Sequence, residues 1–344
     1  MTSALGRAAR RGCYGSAVGI PLPLAGRLVV PVDRARDCED LLITEVHIVG
    51  VAPVGPTSLD QLLLRSLKAP PAIALDQLLQ SHTSVRHTRF VRVYVLGQLT
   101  IEDGDAVASE RDLPGNQARV ALAMLAVEHK QPLSRDQIAD ELWPERLPAS
   151  WETALRAVIS KVRSRLSAAG IRDDLIRNAF GCYQLRLNGA WIDLDAAADA
   201  LHNAEADLAR GNGVAAAANA TVTCMVCSRP FLPGHYGPWT LRQRDRINDL
   251  HLRGRQCLAE ARALLRDFER SAHAAEMALS LDPYREAIYQ RLIRSRALAG
   301  DRLGAASVFN RYREVMQTEL GLEPSPATVA AFEDAIARTD AQRT

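Results

Sequence analysis

Apolar and polar residues begin to alternate at residue 90. Apolar side chains occupy every second position over residues 91–95, and the alternation resumes over residues 99–101 after Gly97. Alternation over this length is the period of a strand with one buried face. The pattern predicts two short strands with a bend at Gly97 and a turn at residues 103–105.

Three helices are predicted to follow these strands. Residues 115–129 carry apolar side chains at roughly helical spacing. Ser134 and Gln137 have the spacing of a capping box and are expected to begin a short second helix. Ser150 is expected to cap a third helix over residues 151–169.

A hairpin completes this part of the chain. Residues 175–177 and 183–187 are predicted to be strands on either side of a four-residue turn, Asn-Ala-Phe-Gly, at residues 178–181. Strands, three helices and a hairpin in this order are typical of a winged helix-turn-helix. We therefore expect a winged helix-turn-helix domain over residues 89–190.

The rest of the chain, residues 191–340, is predicted to be helical with short breaks at glycine and proline. The predicted helices are residues 194–210, 214–226, 239–268, 271–281, 285–299, 303–320 and 325–338. Short loops between amphipathic helices indicate helix hairpins, and residues 274–283 resemble the close of a tetratricopeptide unit. The predicted fold class is mostly α: a winged helix-turn-helix (α+β) domain followed by an all-α tetratricopeptide-like domain.

Residues 1–88 show no sustained period and are expected to form a poorly ordered leader. The phrase Leu-Asp-Gln-Leu-Leu occurs twice, at residues 59–63 and 75–79. Two copies are too few for a solenoid, so the repeat is due to chance or forms a small partner-binding helix pair.

Composition favours two or three domains without a membrane segment. The chain has 344 residues, 47% of them hydrophobic, and a formal net charge of only +2, so positive charge for DNA must be local. No run of 18 apolar residues occurs, so the sequence predicts no membrane-spanning helix. Six scattered cysteines fit a reducing compartment, and we expect a cytoplasmic protein.

The sequence has no motif of a catalytic, nucleotide-binding or zinc-protease site: G-x-x-x-x-G-K-[ST], G-x-S-x-G and H-E-x-x-H are all absent. Cys224 and Cys227 form a lone C-x-x-C without a second pair at zinc-finger spacing, so two buried thiols are the expected interpretation. We expect no enzyme activity, no cofactor and no metal.

The predicted third helix has one apolar stripe and one face of small residues flanked by positive charges. The stripe comprises Leu155, Val158, Ile159, Val162 and Leu166. Small residues allow a helix to approach the floor of the major groove, and flanking Arg or Lys can reach phosphates or guanine edges. The opposite face carries Thr153, Ala157, Ser160 and Ser164, with Arg156 and Arg163 on one side and Lys161 and Arg165 on the other.

Positive charge is concentrated on this helix. Residues 152–166 hold four positive charges and one negative, whereas residues 91–190 hold 13 Lys and Arg against 13 Asp and Glu. A solvated basic face is also common in helices that bind no DNA. The position of the helix, after a short helix and before a hairpin with Arg177 and Asn178 near its tip, favours DNA binding.

Motifs in the same order resemble those of the Streptomyces antibiotic regulatory protein (SARP) family over about residues 90–338. In the first domain they are Arg92-Val93-Tyr94-Val95-Leu96-Gly97, Asn116-Gln117-Ala118-Arg119, Leu133-Ser134-Arg135-Asp136-Gln137-Ile138, Leu142-Trp143-Pro144, Ile159-Ser160-Lys161-Val162-Arg163 and Phe180-Gly181-Cys182-Tyr183-Gln184-Leu185. In the second they are Arg229-Pro230-Phe231-Leu232-Pro233-Gly234, Pro238-Trp239, Leu281-Asp282-Pro283-Tyr284-Arg285-Glu286 and Glu319-Leu320-Gly321-Leu322-Glu323-Pro324-Ser325-Pro326.

This resemblance implies an OmpR-type winged helix joined to a bacterial transcriptional activation domain. Such proteins bind direct repeats near promoters, often as dimers, and engage RNA polymerase holoenzyme. We therefore expect an activator whose partners are double-stranded promoter DNA, RNA polymerase holoenzyme and a second copy on DNA, with no membrane partner. The predicted DNA-binding residues are Thr153, Arg156, Ser160, Lys161, Arg163, Ser164, Arg177 and Asn178. The Ser160-Lys161 pair replaces the more usual Ser-Arg, which weakens the case for bidentate guanine contacts there.

Two alternative functions remain open at this point. One is a tetratricopeptide-like interaction scaffold whose winged helix has lost DNA binding, which the near-neutral charge of the first domain allows. The other is a thiol enzyme using Cys224 and Cys227, which requires a low thiol pKa.

Overall fold

The computed structural model describes residues 90–186 and 189–341, which all lie within one compact unit, Thr57–Thr344. The predicted leader, residues 1–88 with its doubled phrase, lies outside the described residues. The strands are β1 Val91–Tyr94, β2 Thr100–Asp103, β3 Ala106–Ser109, β4 Leu133–Ser134, β5 Ile176–Ala179, β6 Cys182–Leu185 and β7 Trp191–Ile192. The helices are α1 Asn116–Val127, α2 Arg135–Leu142, α3 Trp151–Ala168, α4 Asp193–Ala209, α5 Gly213–Cys227, α6 Pro238–Leu264, α7 Phe268–Leu279, α8 Glu286–Leu298, α9 Arg302–Val315 and α10 Pro326–Ala341.

The first sheet has the strand order β3-β2-β1-β7. Strands β1 and β2 are the two that alternation predicts, and their inward residues Val91, Val93 and Ile101 are buried. The pattern missed β3, which pairs antiparallel with β2, and β7, which pairs parallel with β1 through only two residues. A two-residue strand is too short to show a period.

The second sheet, β4-β6-β5, contains the hairpin. Ala179 and Cys182 face each other in the β5–β6 register, so only Phe180 and Gly181 lie in the turn. The predicted four-residue turn at 178–181 is therefore wrong, because Asn178 and Ala179 continue the strand. Leu133 and Ser134 of β4 pair with β6 and tie this hairpin to the start of α2.

Helices α4 to α9 each pack against the next helix along the chain, and α10 packs back onto α8. The order confirms the predicted fold class. The predicted helix over residues 303–320 ends earlier as an α-helix, at Val315, and continues as a single π-helical turn, Met316–Leu320. Gly321 then adopts a positive φ of 64°, which ends that segment.

The hydrophobic core is continuous across the two halves of the described chain. One cluster joins residues of the first sheet and α1–α3 with residues of α4, α5 and α6, and a second cluster fills the space between α6 and α10. No helix in the described ranges is long and apolar enough to cross a bilayer.

Candidate nucleic-acid interface

Helix α3 buries the stripe that the sequence predicts. Leu155, Val158, Ile159, Val162 and Leu166 are its buried residues. They pack against α1 and α2, so this one stripe fixes which face of α3 is turned to solvent.

The opposite face of α3 is open to solvent. Thr153, Arg156, Ser160, Lys161 and Ser164 are all exposed. Thr153, Arg156, Ser160 and Ser164 are spaced by three and four residues and so lie on one side over three helical turns, with Lys161 beside Ser160 at the edge of that face. The fold thus brings five of the eight predicted residues together on a continuous, largely small-residue surface.

The two positive charges on this face have different surroundings. Arg156 donates a hydrogen bond to Glu152 one turn earlier, over 3.0 Å between exposed side chains. Such an exposed pair is worth little and can be exchanged for another anion. Lys161 has no acidic partner within 4.0 Å among the residues that the structure describes.

Arg163 lies on the side of α3 that faces the hairpin. It is only half exposed, and its Nη2 donates a 3.0 Å hydrogen bond to the carbonyl oxygen of Ile176 in β5. The guanidinium therefore holds the hairpin against α3, a role that the sequence pattern alone did not indicate. Arg165, one turn beyond Lys161, is exposed beside the small-residue face.

Arg177 and Asn178 are exposed on β5. They precede the two-residue turn, so the fold places them at the outer end of the hairpin, which itself is anchored to α3 by Arg163. The eight predicted residues thus belong to two neighbouring elements, a helix and a hairpin, fixed to each other by a side-chain contact.

The helix before α3 is capped as the sequence predicts. Gln137 donates its backbone N–H to the Ser134 hydroxyl, and the Ser134 N–H is donated to the Gln137 side chain, which completes a capping box. Ser150 occupies the N-cap position of α3, but its side chain makes no cap hydrogen bond. That part of the prediction is wrong.

Comparison with known proteins assigns the helical half. The bacterial transcriptional activator domain family (BTAD) matches residues 192–336, which span β7 to α10. Residues 192–336 of the chain are therefore assigned to the bacterial transcriptional activator domain. The family's description associates such domains with transcriptional activators.

Similar sequences support the same assignment beyond the activator domain. Regulatory protein AfsR of Streptomyces griseus is 25% identical over 255 residues, and AfsR of Streptomyces coelicolor is 26% identical over 243 residues. These matches cover 73% and 69% of this chain but only 25% and 23% of the relatives, so the chain spans about a quarter of their length. The relatives are regulatory proteins.

A solved structure shows the same arrangement of elements. Mycobacterium tuberculosis EmbR, determined in complex with a low-affinity phosphopeptide, matches with a TM-score of 0.63 over 72% of this chain and 65% of that one. The sequence identity is 20%, so the likeness concerns the fold.

The activator domain is joined to the winged helix by a buried aspartate at its start. Asp193, the first residue of α4, accepts hydrogen bonds from the backbone N–H groups of Val95 and Leu96, at 2.9 and 3.1 Å. Burial raises the pKa of Asp193 to about 6, although these N–H groups and Arg229 favour the charged form. The carboxyl group thus fixes the end of β1 to the start of the activator domain.

A second carboxylate joins the two halves from the other direction. Glu141 of α2 is buried and accepts hydrogen bonds from the backbone N–H groups of Trp239 and Thr240, at 2.7 and 3.1 Å. These are orphan N–H groups in the first turn of α6, whose N-cap is Gly237, a residue without a side chain. Glu141 therefore caps a helix of the activator domain from within the winged helix.

Three cysteines of the activator domain are buried thiols. Burial raises the pKa of Cys224 and Cys257 to about 11 and that of Cys227 to about 12. A catalytic or redox-sensing thiol needs a lowered pKa and access to solvent. These values contradict the thiol-enzyme hypothesis and leave the pair Cys224 and Cys227 a role in packing between α5 and its neighbours.

Proposed function

We propose that this SARP-family regulator binds promoter DNA with α3 in the major groove and the hairpin β5–β6 as a wing against the backbone. The observation that carries the proposal is the exposed face of α3, where small residues surround Lys161 and Arg156. Small side chains allow the helix axis to approach base edges, and the two long cations reach phosphates or guanine.

Arg163 supports the proposed DNA binding by orienting the hairpin. Its hydrogen bond to Ile176 orients the hairpin relative to α3, so helix and wing approach the duplex as one surface. Preorganised contacts of this kind lower the cost of ordering on binding. We assign base or phosphate contacts to Thr153, Arg156, Ser160, Lys161 and Ser164, and backbone contacts to Arg177 and Asn178.

The activator domain supplies the second half of the proposed function. We infer that it engages RNA polymerase holoenzyme, as the family implies, and that two copies bind adjacent promoter repeats. Because Asp193 and Glu141 fix the winged helix to the activator domain, the position of the helix on DNA also fixes the surface shown to the polymerase. The proposed site of action is the cytoplasm, where promoter DNA lies.

The DNA-binding proposal is tested with the full chain. Duplexes are selected from a random library, and an enriched duplex is titrated by fluorescence anisotropy over a salt series. Lys161→Ala is compared with Lys130→Ala, which removes an exposed lysine that pairs with Asp195 of α4. We expect Lys161→Ala to weaken binding and to lower the slope of log affinity against log salt by about 1, the value for one lost phosphate contact.

Different results would overturn the proposal. If selection enriches no sequence, or if both lysine variants bind like the parent chain, α3 does not lie in the groove. The scaffold function then becomes the better account, and the search turns to protein partners of the activator domain.

A further inference from the structure

The tip of the hairpin carries a large aromatic side chain with no protein contact to bury it. Phe180 is fully exposed, at 106% of its reference surface, and is the most exposed large hydrophobic residue among those described. Single exposed apolar residues are common, but a whole phenyl ring at the end of a two-residue turn is not needed to form that turn.

Phe180 also occupies an unfavourable backbone conformation. Both turn residues have positive φ, 50° at Phe180 and 78° at Gly181, as a type I′ hairpin turn requires. Asn or Gly is preferred at the first of these positions, and a bulky residue there is strained. The local structure therefore disfavours phenylalanine, and burial gives nothing in return.

The turn is held rigidly despite this strain. The backbone N–H of Arg135 at the start of α2 donates to the Gly181 carbonyl over 3.3 Å, and β4 pairs with β6 directly beside the turn. On the other strand of the hairpin, β5, the Ile176 carbonyl accepts a hydrogen bond from Arg163 of α3. These contacts hold the hairpin that carries the Phe180 ring in a fixed position relative to α3.

The residues around the Phe180 ring suit a binding partner that carries negative charges beside apolar gaps. Arg177 and Asn178 are exposed on the strand that leads to Phe180. The acidic pair Asp173 and Asp174 lies before the opposite end of β5. Duplex DNA offers phosphates for such polar flanks, and a base step in its minor groove accepts an apolar wedge such as Phe.

We propose that Phe180 is a wedge that enters the minor groove beside the α3 site and partly unstacks one base step. The inference rests on the proposed DNA binding. It adds a contact that selects for flexible steps, such as TA or CA, because these unstack most easily.

The test uses the full chain and the enriched duplex, with 2-aminopurine replacing adenine at successive steps on either side of the α3 footprint. Unstacking raises 2-aminopurine fluorescence. We expect a rise at one step with the parent chain and with Phe180→Leu, which is also an apolar wedge, and none with Phe180→Asn. Affinity should fall roughly 5- to 150-fold in Phe180→Asn, the range of lost base–aromatic stacking.

Phe180→Asn separates a wedge from a structural residue. It places Asn-Gly in a type I′ turn, so the melting temperature should rise while affinity falls. The wedge would be overturned if the parent chain gave no fluorescence rise and Phe180→Asn bound DNA as tightly as the parent. DNA binding itself would stand if Lys161→Ala still weakened affinity. Loss of the second copy on DNA without a fluorescence change would assign Phe180 to a contact between copies instead, which also overturns the wedge. Failure of the parent chain to bind DNA would overturn both proposals.

Discussion

The Glu141 carboxylate, which caps α6 of the activator domain from α2 of the winged helix, provides the sharpest stability prediction. In Glu141→Gln one carboxylate oxygen becomes an NH₂ group. Oε1 accepts from His235, from the Thr240 N–H and from the Thr240 hydroxyl at 3.0, 3.1 and 2.6 Å, whereas Oε2 accepts from the Trp239 N–H alone among the described residues. The variant does least harm with NH₂ at the Oε2 position, where it faces the Trp239 N–H.

That arrangement leaves the buried Trp239 N–H without an acceptor, places the new NH₂ donors against it, and replaces charge-assisted bonds by neutral ones. A buried unsatisfied donor costs about 1–3 kcal/mol, and bonds to a charged group are worth more than neutral ones. We therefore expect Glu141→Gln to lower the free energy of unfolding by about 3 kcal/mol. Glu141→Ala, which removes both acceptors, should cost more.

Urea unfolding of the full chain measures this loss, with tryptophan fluorescence and far-ultraviolet circular dichroism as probes. Because one core cluster spans both halves, the two probes should give one transition in the parent chain. The matched control is Glu145→Gln, an exposed glutamate in the loop after α2, and it should change stability by less than about 0.5 kcal/mol. A Glu141→Gln variant as stable as this control would refute the capping role.

Three further predictions concern other contacts. Burial, together with Arg255, lowers the pKa of His251 from its ordinary value near 6.5 to about 4. The unfolded chain therefore binds the proton more strongly, and the free energy of unfolding should fall by about 1.5 kcal/mol as the pH drops from 6.5 to 5. In His251→Gln, urea unfolding measured at each pH should no longer show this loss, and the same pH slope in both chains would contradict the prediction. Arg163→Ala should speed amide exchange in the β5–β6 hairpin, because the Ile176 carbonyl loses its hydrogen-bond donor. Arg165→Ala, at an exposed neighbour, is the control. Equal exchange rates in the two variants would show that the Arg163 contact does not stabilise the hairpin. Gly237→Ala would place a methyl group on the Glu141 carboxylate and should lower the melting temperature markedly; an unchanged melting temperature would mean that the joint adapts.

Sequence patterns predicted helix α3 and its buried face well because one physical cause determines both. The stripe from Leu155 to Leu166 has the helical period, and its burial dictates that Ser160 and Lys161 face solvent. The activator domain was predictable for the same reason, since each of its helices has an apolar face to bury.

Contacts between distant segments left little or no local signal. Strand β7 has two residues and pairs with β1 across about a hundred positions of sequence. Asp193 and Glu141 look like ordinary helix acids, and only the fold shows that each satisfies backbone N–H groups of the other half. The strand lengths of the hairpin depend on register, so the exposed position of Phe180 became visible only with the two-residue turn.

Lysine reactivity tests the central claim most directly, because the chain has only three lysines, Lys68, Lys130 and Lys161. Lys130, which is 72% exposed and pairs with Asp195 of α4, serves as an internal control because no DNA contact is assigned to it. Acetylation of the full chain is followed by mass spectrometry with and without a saturating amount of the enriched duplex. The account predicts that DNA protects Lys161 while Lys130 reacts as before. Equal acetylation of Lys161 in the free and DNA-bound chain would contradict the placement of α3 in the groove.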